Sequence, residues 1–203
     1  MWIDEKFFII KDKIKDLEKS NFSIIDLGSR DKVLKKFIPD NWVYTGVDKF
    51  SEDNDYVLDL NKDFDTIKGN YDFLSALDIV EHLDDPISFI EDCKKRTNKM
   101  MFINIPNAAY YSFRLKFLFT GSLTEKFHFS GDSNDDRHRW FTNYDNAINF
   151  VNQKLNNDFT INIDKIYKTR NKLRLLYWIE KFLGNFFPNL FCWAILITYK
   201  KNA

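Results

Sequence analysis

Two cysteines, six glycines, four prolines and three histidines are all that 203 residues supply of these types. Cys93 and Cys192 stand far apart with no C-x-x-C spacing, so neither a disulfide framework nor a thiolate zinc site is suggested. Both read as buried small side chains in a reducing compartment. The histidines show no metal-ligand spacing, and no metal is expected. Net charge is absent as well, 30 Lys and Arg against 30 Asp and Glu. That balance argues against binding nucleic acid by blanket phosphate neutralisation, and no nucleic-acid partner is expected. Long apolar runs are missing too: the longest, Leu190 to Thr198, is about half of what a membrane-spanning helix needs. Asp4, Glu5 and Lys6 interrupt the start, where a signal peptide would be apolar. The expectation is a cytoplasmic protein.

What is abundant is aromatic. Phe, Trp and Tyr make up 17% of the chain, with 21 Phe, and that excess needs a core or an interface. The length suits one domain, 1–203. Phe7, Ile10, Ile14 and Leu17 recur at helical spacing within an N-terminal segment, 1–20. Short apolar runs at 23–27, 42–48, 56–58, 71–77 and 100–105 read as strands. Helices are expected over 31–37 and over 86–96, the second with Ile87, Ile90 and Cys93 inward. Strands alternating with helices at this spacing imply right-handed crossovers and a mostly parallel sheet covered on both faces. The last third changes rhythm: helices at 108–119 and 143–155, a polar loop at 121–141, strands at 159–167 and 191–199, and an aromatic helix at 171–183. The expected fold is α/β and doubly wound, with seven strands, an antiparallel C-terminal strand and an inserted aromatic helix.

In such sheets ligands sit beyond the carboxyl ends of the strands. The first strand runs into Asp26-Leu27-Gly28-Ser29-Arg30-Asp31, where glycine lets the backbone come close to a ligand. The second ends on Asp48, about twenty residues on, where a carboxylate can accept both hydroxyls of a ribose. The third is followed by Asp59-Leu60, an acid to accept from an exocyclic amine and an apolar side chain to line a ring. Each acid alone reads more readily as a turn or cap residue. Their ordered recurrence describes an adenosine-shaped site.

The series Ile25-Asp26-Leu27-Gly28, Tyr44-Thr45-Gly46-Val47-Asp48, Leu58-Asp59-Leu60 and the run from Tyr71 to Pro86 resembles the motif series of class I S-adenosylmethionine-dependent methyltransferases. The likeness covers roughly residues 20 to 110 and points to the small bacterial branch with methionine-biosynthesis-like and ubiquinone-methyltransferase-like proteins. Its most specific element is Leu77-Asp78-Ile79-Val80-Glu81-His82-Leu83-Asp84-Asp85-Pro86. The resemblance implies a Rossmann-like fold with a cofactor-binding half, 21–106, and a substrate-side half, 107–203, in which 121–141 forms a lid. It implies S-adenosylmethionine as cofactor, Asp26 and Gly28 framing its methionine end, Asp48 on the ribose, Asp59 and Leu60 on the adenine, and Ala76 and Leu77 alongside. Ser29, Arg30, Lys49 and His82 complete the cofactor-side set, with His82 also read as a brace for the loop. The departure is in the first loop, where Arg30 and Lys32 occupy the second and third positions of an Asp-x-Gly-x-Gly-x-Gly pattern. Arg30 either points outwards or pairs with the cofactor's carboxylate.

Asp135-Asp136-Arg137-His138-Arg139-Trp140-Phe141 is a second cluster, on a loop that can fold back over the ligand edge. His138 reads as the catalytic residue, a general base towards a hydroxyl; the alternative is a lid held by an Asp136–Arg pair. His128, Arg137 and Trp140 are candidate substrate contacts. The expected acceptor is a small molecule or a glycan, methylated at oxygen. The basic and aromatic stretch 165–187 suits contact with a membrane surface or a lipid-linked substrate, although such a helix more often packs against its own domain or a second subunit. A nicotinamide-dependent oxidoreductase would need the Gly-x-Gly-x-x-Gly turn that this chain lacks. A methyltransferase-like module without activity is the other alternative, kept by Arg30 and Lys32.

Overall fold

The computed structural model describes residues 4–123, 127, 137–153, 158–168 and 174–202. Strands β1 (Ser23–Leu27), β2 (Val43–Asp48), β3 (Tyr56–Val57), β4 (Tyr71–Leu77), β5 (Thr97–Pro106), β6 (Phe159–Ile166) and β7 (Ala194–Lys201) form one sheet in the order β3-β2-β1-β4-β5-β7-β6. The first five are parallel, and β7 runs antiparallel between β5 and β6. The chain steps outwards from β1 to β2 and β3, then returns to β4. The order therefore reverses between β1 and β4, the place where open α/β sheets take their ligands, beyond the strands' carboxyl ends.

Side chains alternate across the sheet with the strand period of two. On one face Ile25, Leu27, Leu74, Met101, Ile103 and Ile195 join Ile90 and Cys93 of α2 (Pro86–Arg96) and Ala147 and Val151 of α4 (Tyr144–Gln153). On the other, Ile24, Phe73, Phe102 and Leu196 meet Ile10 and Ile14 of α1 (Glu5–Ile14). Asp85 starts α2: its Oδ1 accepts from the N–H groups of Ile87 (3.1 Å) and Ser88 (3.0 Å), with Pro86 at the first helical position. Phe89 joins Ile90 and Cys93 on the buried stripe, while Ile87, expected inward, is exposed.

Other expectations are also corrected. In place of a helix over 31–37 there is a single 3-10 turn, Leu34–Phe37. Arg30 (φ 42°) and Lys32 (φ 52°) break the right-handed conformation on one side of it, and Pro39 closes the other. The last strand begins at Ala194 and not at 191, because Pro188–Phe191 winds into a short helix, α6.

Beyond α3 (Tyr111–Thr120) and α4, helix α5 (Arg174–Leu183) is turned against its own hydrophobicity. Glu180, 1% exposed, accepts from the Tyr110 and Tyr111 hydroxyls at 2.8 and 2.9 Å, and the Tyr177 hydroxyl donates to Glu5 Oε1 at 2.9 Å. These polar anchors hold the inner face, so Leu175, Trp178, Ile179 and Phe182 point to solvent. Among the described residues no helix is long and apolar enough to cross a membrane.

Candidate active site

Gly28 turns the chain out of β1 with φ 76°, and a Cβ there would stand 2.9 Å from Ile79 Cδ1. The backbone angle is the one glycine takes easily, and a side chain there would also have to push the tip of Ile79 aside. Its N–H and that of Ser29 donate to the Val47 carbonyl, at 2.8 and 3.0 Å, which holds the loop against β2. The Ser29 hydroxyl is buried and donates to Asn54 Oδ1 at 2.6 Å, so it serves the loop from inside.

Asp26 and Ser75 are register partners in β1 and β4 and share the α1 face of the sheet. The Asp26 carboxylate accepts from the Tyr44 hydroxyl (2.7 Å) and the Ser75 hydroxyl. Burial pushes its pKa up to about 6, against the lowering effect of those two hydrogen bonds and of Lys6. A carboxyl with a raised pKa holds its proton more tightly when folded. The stabilisation is therefore full below the ordinary value near 4, is lost as pH rises towards 6, and stays lost above it. The stability difference between wild type and Asp26→Asn is expected to move by roughly 2 kcal/mol in favour of the variant from pH 4.5 to 6.5. Urea titrations at the two pH values test this; a constant difference would refute it.

Asp48 closes β2 and ties the ligand edge together. Its Oδ2 accepts from the N–H of Arg30 (3.0 Å) and its Oδ1 from the N–H of Phe50 (2.7 Å). Asp59 accepts from the Lys49 ammonium at 3.0 Å and from the N–H of Asn61 at 3.1 Å. Its partial burial is the largest single influence and works against ionisation, but the Lys49 and Asn61 hydrogen bonds and the Lys49 and Lys62 charges together outweigh it and lower its pKa. Leu60 is partly buried against the core. Ala76 is fully enclosed in the core, and Leu77 beyond it is partly exposed.

At the end of β4, Asp78 (φ 56°) bonds to the Lys6 ammonium and to the Asn104 amide. Burial alone would lower the Lys6 pKa, but Asp78 and Asp4 outweigh it and raise it. On an amphipathic helix Lys6 reads as solvent-facing, and nothing local predicts its place at the ligand edge.

The next turn, Val80–His82, meets the stretch that begins at 137. His82 Nδ1 lies 2.8 Å from the Arg137 carbonyl, the Arg139 N–H donates to the Glu81 carbonyl at 2.8 Å, and Trp140 Nε1 donates to the Leu83 carbonyl at 2.7 Å. His82 thus braces the loop. The His82 and His138 rings meet edge to face, 4.7 Å apart, beside Glu81, whose side chain is 3% exposed. Phe127 flanks His138 at 5.3 Å. The structure thus brings together His82, Arg137, His138 and Trp140; His128 and Asp136 lie outside the described residues. Glu81 is the residue that sequence reasoning passed over, although it stands in the most specific motif.

No family model and no curated protein matches this chain. Solved structures do. A SAM-dependent methyltransferase from Archaeoglobus fulgidus superposes with a TM-score of 0.53 over 96% of this chain and 94% of its own, at 16% identity. The plantazolicin methyltransferase BpumL, in complex with a monoazolic desmethylPZN analog and SAH, gives 0.59 over 97% and 82% at 15% identity. Magnesium protoporphyrin IX methyltransferase (ChlM) from Synechocystis PCC 6803, with bound SAH, gives 0.53 over 97% and 82% at 12% identity. This chain has the class I methyltransferase fold.

Within that fold the first loop keeps a glycine-like backbone without the glycines. Arg30 and Lys32 stand at the two substituted positions, and both take positive φ. Such angles cost of order 1–3 kcal/mol each for ordinary residues. Arg30 is exposed, and its N–H bond to Asp48 does not need its side chain. Arg30→Gly is therefore expected to stabilise the protein by about 1 kcal/mol, a rise in Tm of about 2–4 °C after the entropy cost of glycine. A lower Tm would mean that the arginine side chain contributes more than the angle costs.

Proposed function

We propose that this chain is an S-adenosylmethionine-dependent methyltransferase acting on a small-molecule or glycan acceptor, at oxygen. The observation that carries the reading is the row of Gly28, Asp48 and Asp59 along adjacent strand ends, on a fold whose solved neighbours include methyltransferases with SAH. In this reading Asp26 and the Gly28 loop face the methionine end of the cofactor, with Arg30 beside its carboxylate. Asp48 accepts from the ribose, with Lys49 next to it. Asp59 and Leu60 meet the adenine, and Leu77 and His82 bound the cofactor on the β4 side.

The sulfonium brings its own activation, so the protein's task is alignment and exclusion of water. A hydroxyl acceptor also has to lose its proton. His138 is assigned that activation, and Arg137 and Trp140 line the acceptor side. A nicotinamide cofactor is disfavoured because the β1 turn carries one glycine where that chemistry uses three.

Calorimetric titration with S-adenosylhomocysteine, with NAD as control, tests the cofactor. Micromolar binding of the first and none of the second is expected. Binding of neither would leave a methyltransferase-like interaction module.

A further inference from the structure

Three ligand-type side chains from two distant stretches converge at the end of β4. Glu81 Oε1 lies 3.8 Å from His82 Nε2 and 3.9 Å from His138 Nε2. One donor atom from each residue falls within 4.8 Å of the other two. We propose that Glu81, His82 and His138 bind a divalent transition-metal ion. This departs from the expectation drawn from sequence spacing, because the third ligand comes from 56 positions further along and only the folded loop delivers it.

The tautomer of His82 supports the site. A carbonyl oxygen only accepts, so the Nδ1 that faces the Arg137 carbonyl carries the hydrogen. In the neutral ring Nε2 is then the lone-pair nitrogen, on the side of Glu81. An imidazole whose other nitrogen donates to a backbone carbonyl is the usual second-sphere arrangement of a histidine ligand. Bonds of about 2.1 Å in a tetrahedral set put donor atoms about 3.4 Å apart. The two Glu81 distances exceed that by roughly half an ångström and the pair of imidazole nitrogens, within 4.8 Å of each other, by up to about 1.4 Å, so closure takes χ rotations of both rings. Two imidazoles and one carboxylate select borderline ions such as Zn²⁺, Co²⁺ or Fe²⁺ over Mg²⁺ and Ca²⁺, which prefer oxygen.

The surroundings are those of a prepared site. The Arg139 and Trp140 hydrogen bonds fasten the loop to the Glu81 turn, so the donors are held before an ion arrives. Phe127 stands beside His138 and within 5.7 Å of Phe141, an apolar wall that strengthens electrostatics inside it. Three protein ligands leave positions open for an exogenous oxygen.

The catalytic consequence rests on the methyltransferase reading. An acceptor hydroxyl taking an open position would lose its proton to solvent water, since a bound ion lowers the pKa of a coordinated oxygen. That oxygen's electron pair then forms the O–CH₃ bond, the C–S bond breaks, and its pair stays on sulfur as the thioether. His138 thus activates the acceptor through the ion instead of taking the proton itself.

The test is calorimetric titration of chelator-stripped protein with Zn²⁺, repeated with Co²⁺ while following its visible absorption. One ion per chain is expected, with the ligand-field bands of a nitrogen- and oxygen-bound Co²⁺. His138→Ala, which leaves the β4 turn intact, should weaken binding by about a hundredfold. Glu81→Gln keeps the side chain's size, guards against a folding defect in the first variant, and should weaken it similarly. No saturable binding by the wild type, or wild-type affinity in both variants, would overturn the proposal; the second result would mean surface chelation elsewhere. Parallel titration of the stripped protein with S-adenosylhomocysteine separates the two readings: cofactor binding without metal binding removes only the ion, and the converse removes only the methyltransferase.

Discussion

Asp48→Ala is expected to weaken S-adenosylhomocysteine binding by roughly 30- to 1000-fold, about 2–4 kcal/mol. Each Asp48 oxygen already accepts one backbone N–H, from Arg30 or from Phe50. A carboxylate has about four lone-pair sites, so one on each oxygen remains for a ribose hydroxyl. The variant loses two charge-assisted hydrogen bonds to the ligand and also releases the β1 loop. Asp48→Asn separates the two effects, since its amide oxygen can still accept from one loop N–H. Calorimetry on both variants, with thermal melts as a fold control, is the measurement. An affinity within threefold of wild type in the alanine variant would remove Asp48 from the cofactor site.

His138→Ala should lower turnover on the acceptor by about 10²- to 10⁴-fold while leaving S-adenosylhomocysteine affinity nearly unchanged. Its ring sits beside Glu81 and His82, at the turn that follows β4. A residue that only secured the lid would behave differently. Its loss would loosen the Arg139 and Trp140 hydrogen bonds that close the edge, and cofactor affinity would fall with the rate. Steady-state kinetics alongside calorimetry distinguishes the two. Full activity on the acceptor would demote His138 to a lid residue.

The strand-end residues were legible because their signals are local. Gly28 has to turn a strand out of the sheet, Asp48 and Asp59 follow apolar runs of strand length, and Asp85-Pro86 carries its own helix-start chemistry. At Arg30 and Lys32 the structure adds that the backbone takes positive φ without glycine. Errors came where local preference was overruled. The helix expected over 31–37 shrinks to one turn because two left-handed residues precede it, and the inward face assigned to Ile87 belongs to Phe89.

The order of residues by itself determined the alternation of strands and helices, the period-two burial of the central strands and the row of acids at their ends. These rest on interactions between near neighbours in the chain, which periodicity and turn chemistry express directly. Only the tertiary structure decided that Lys6 would reach Asp78, that α5 would bury Glu180 and present its apolar face, and that Glu81, His82 and His138 would meet. Each of these joins segments far apart in sequence. Such pairings are selected by how all the elements share one core and satisfy their buried polar groups together, and no short stretch of chain carries that information.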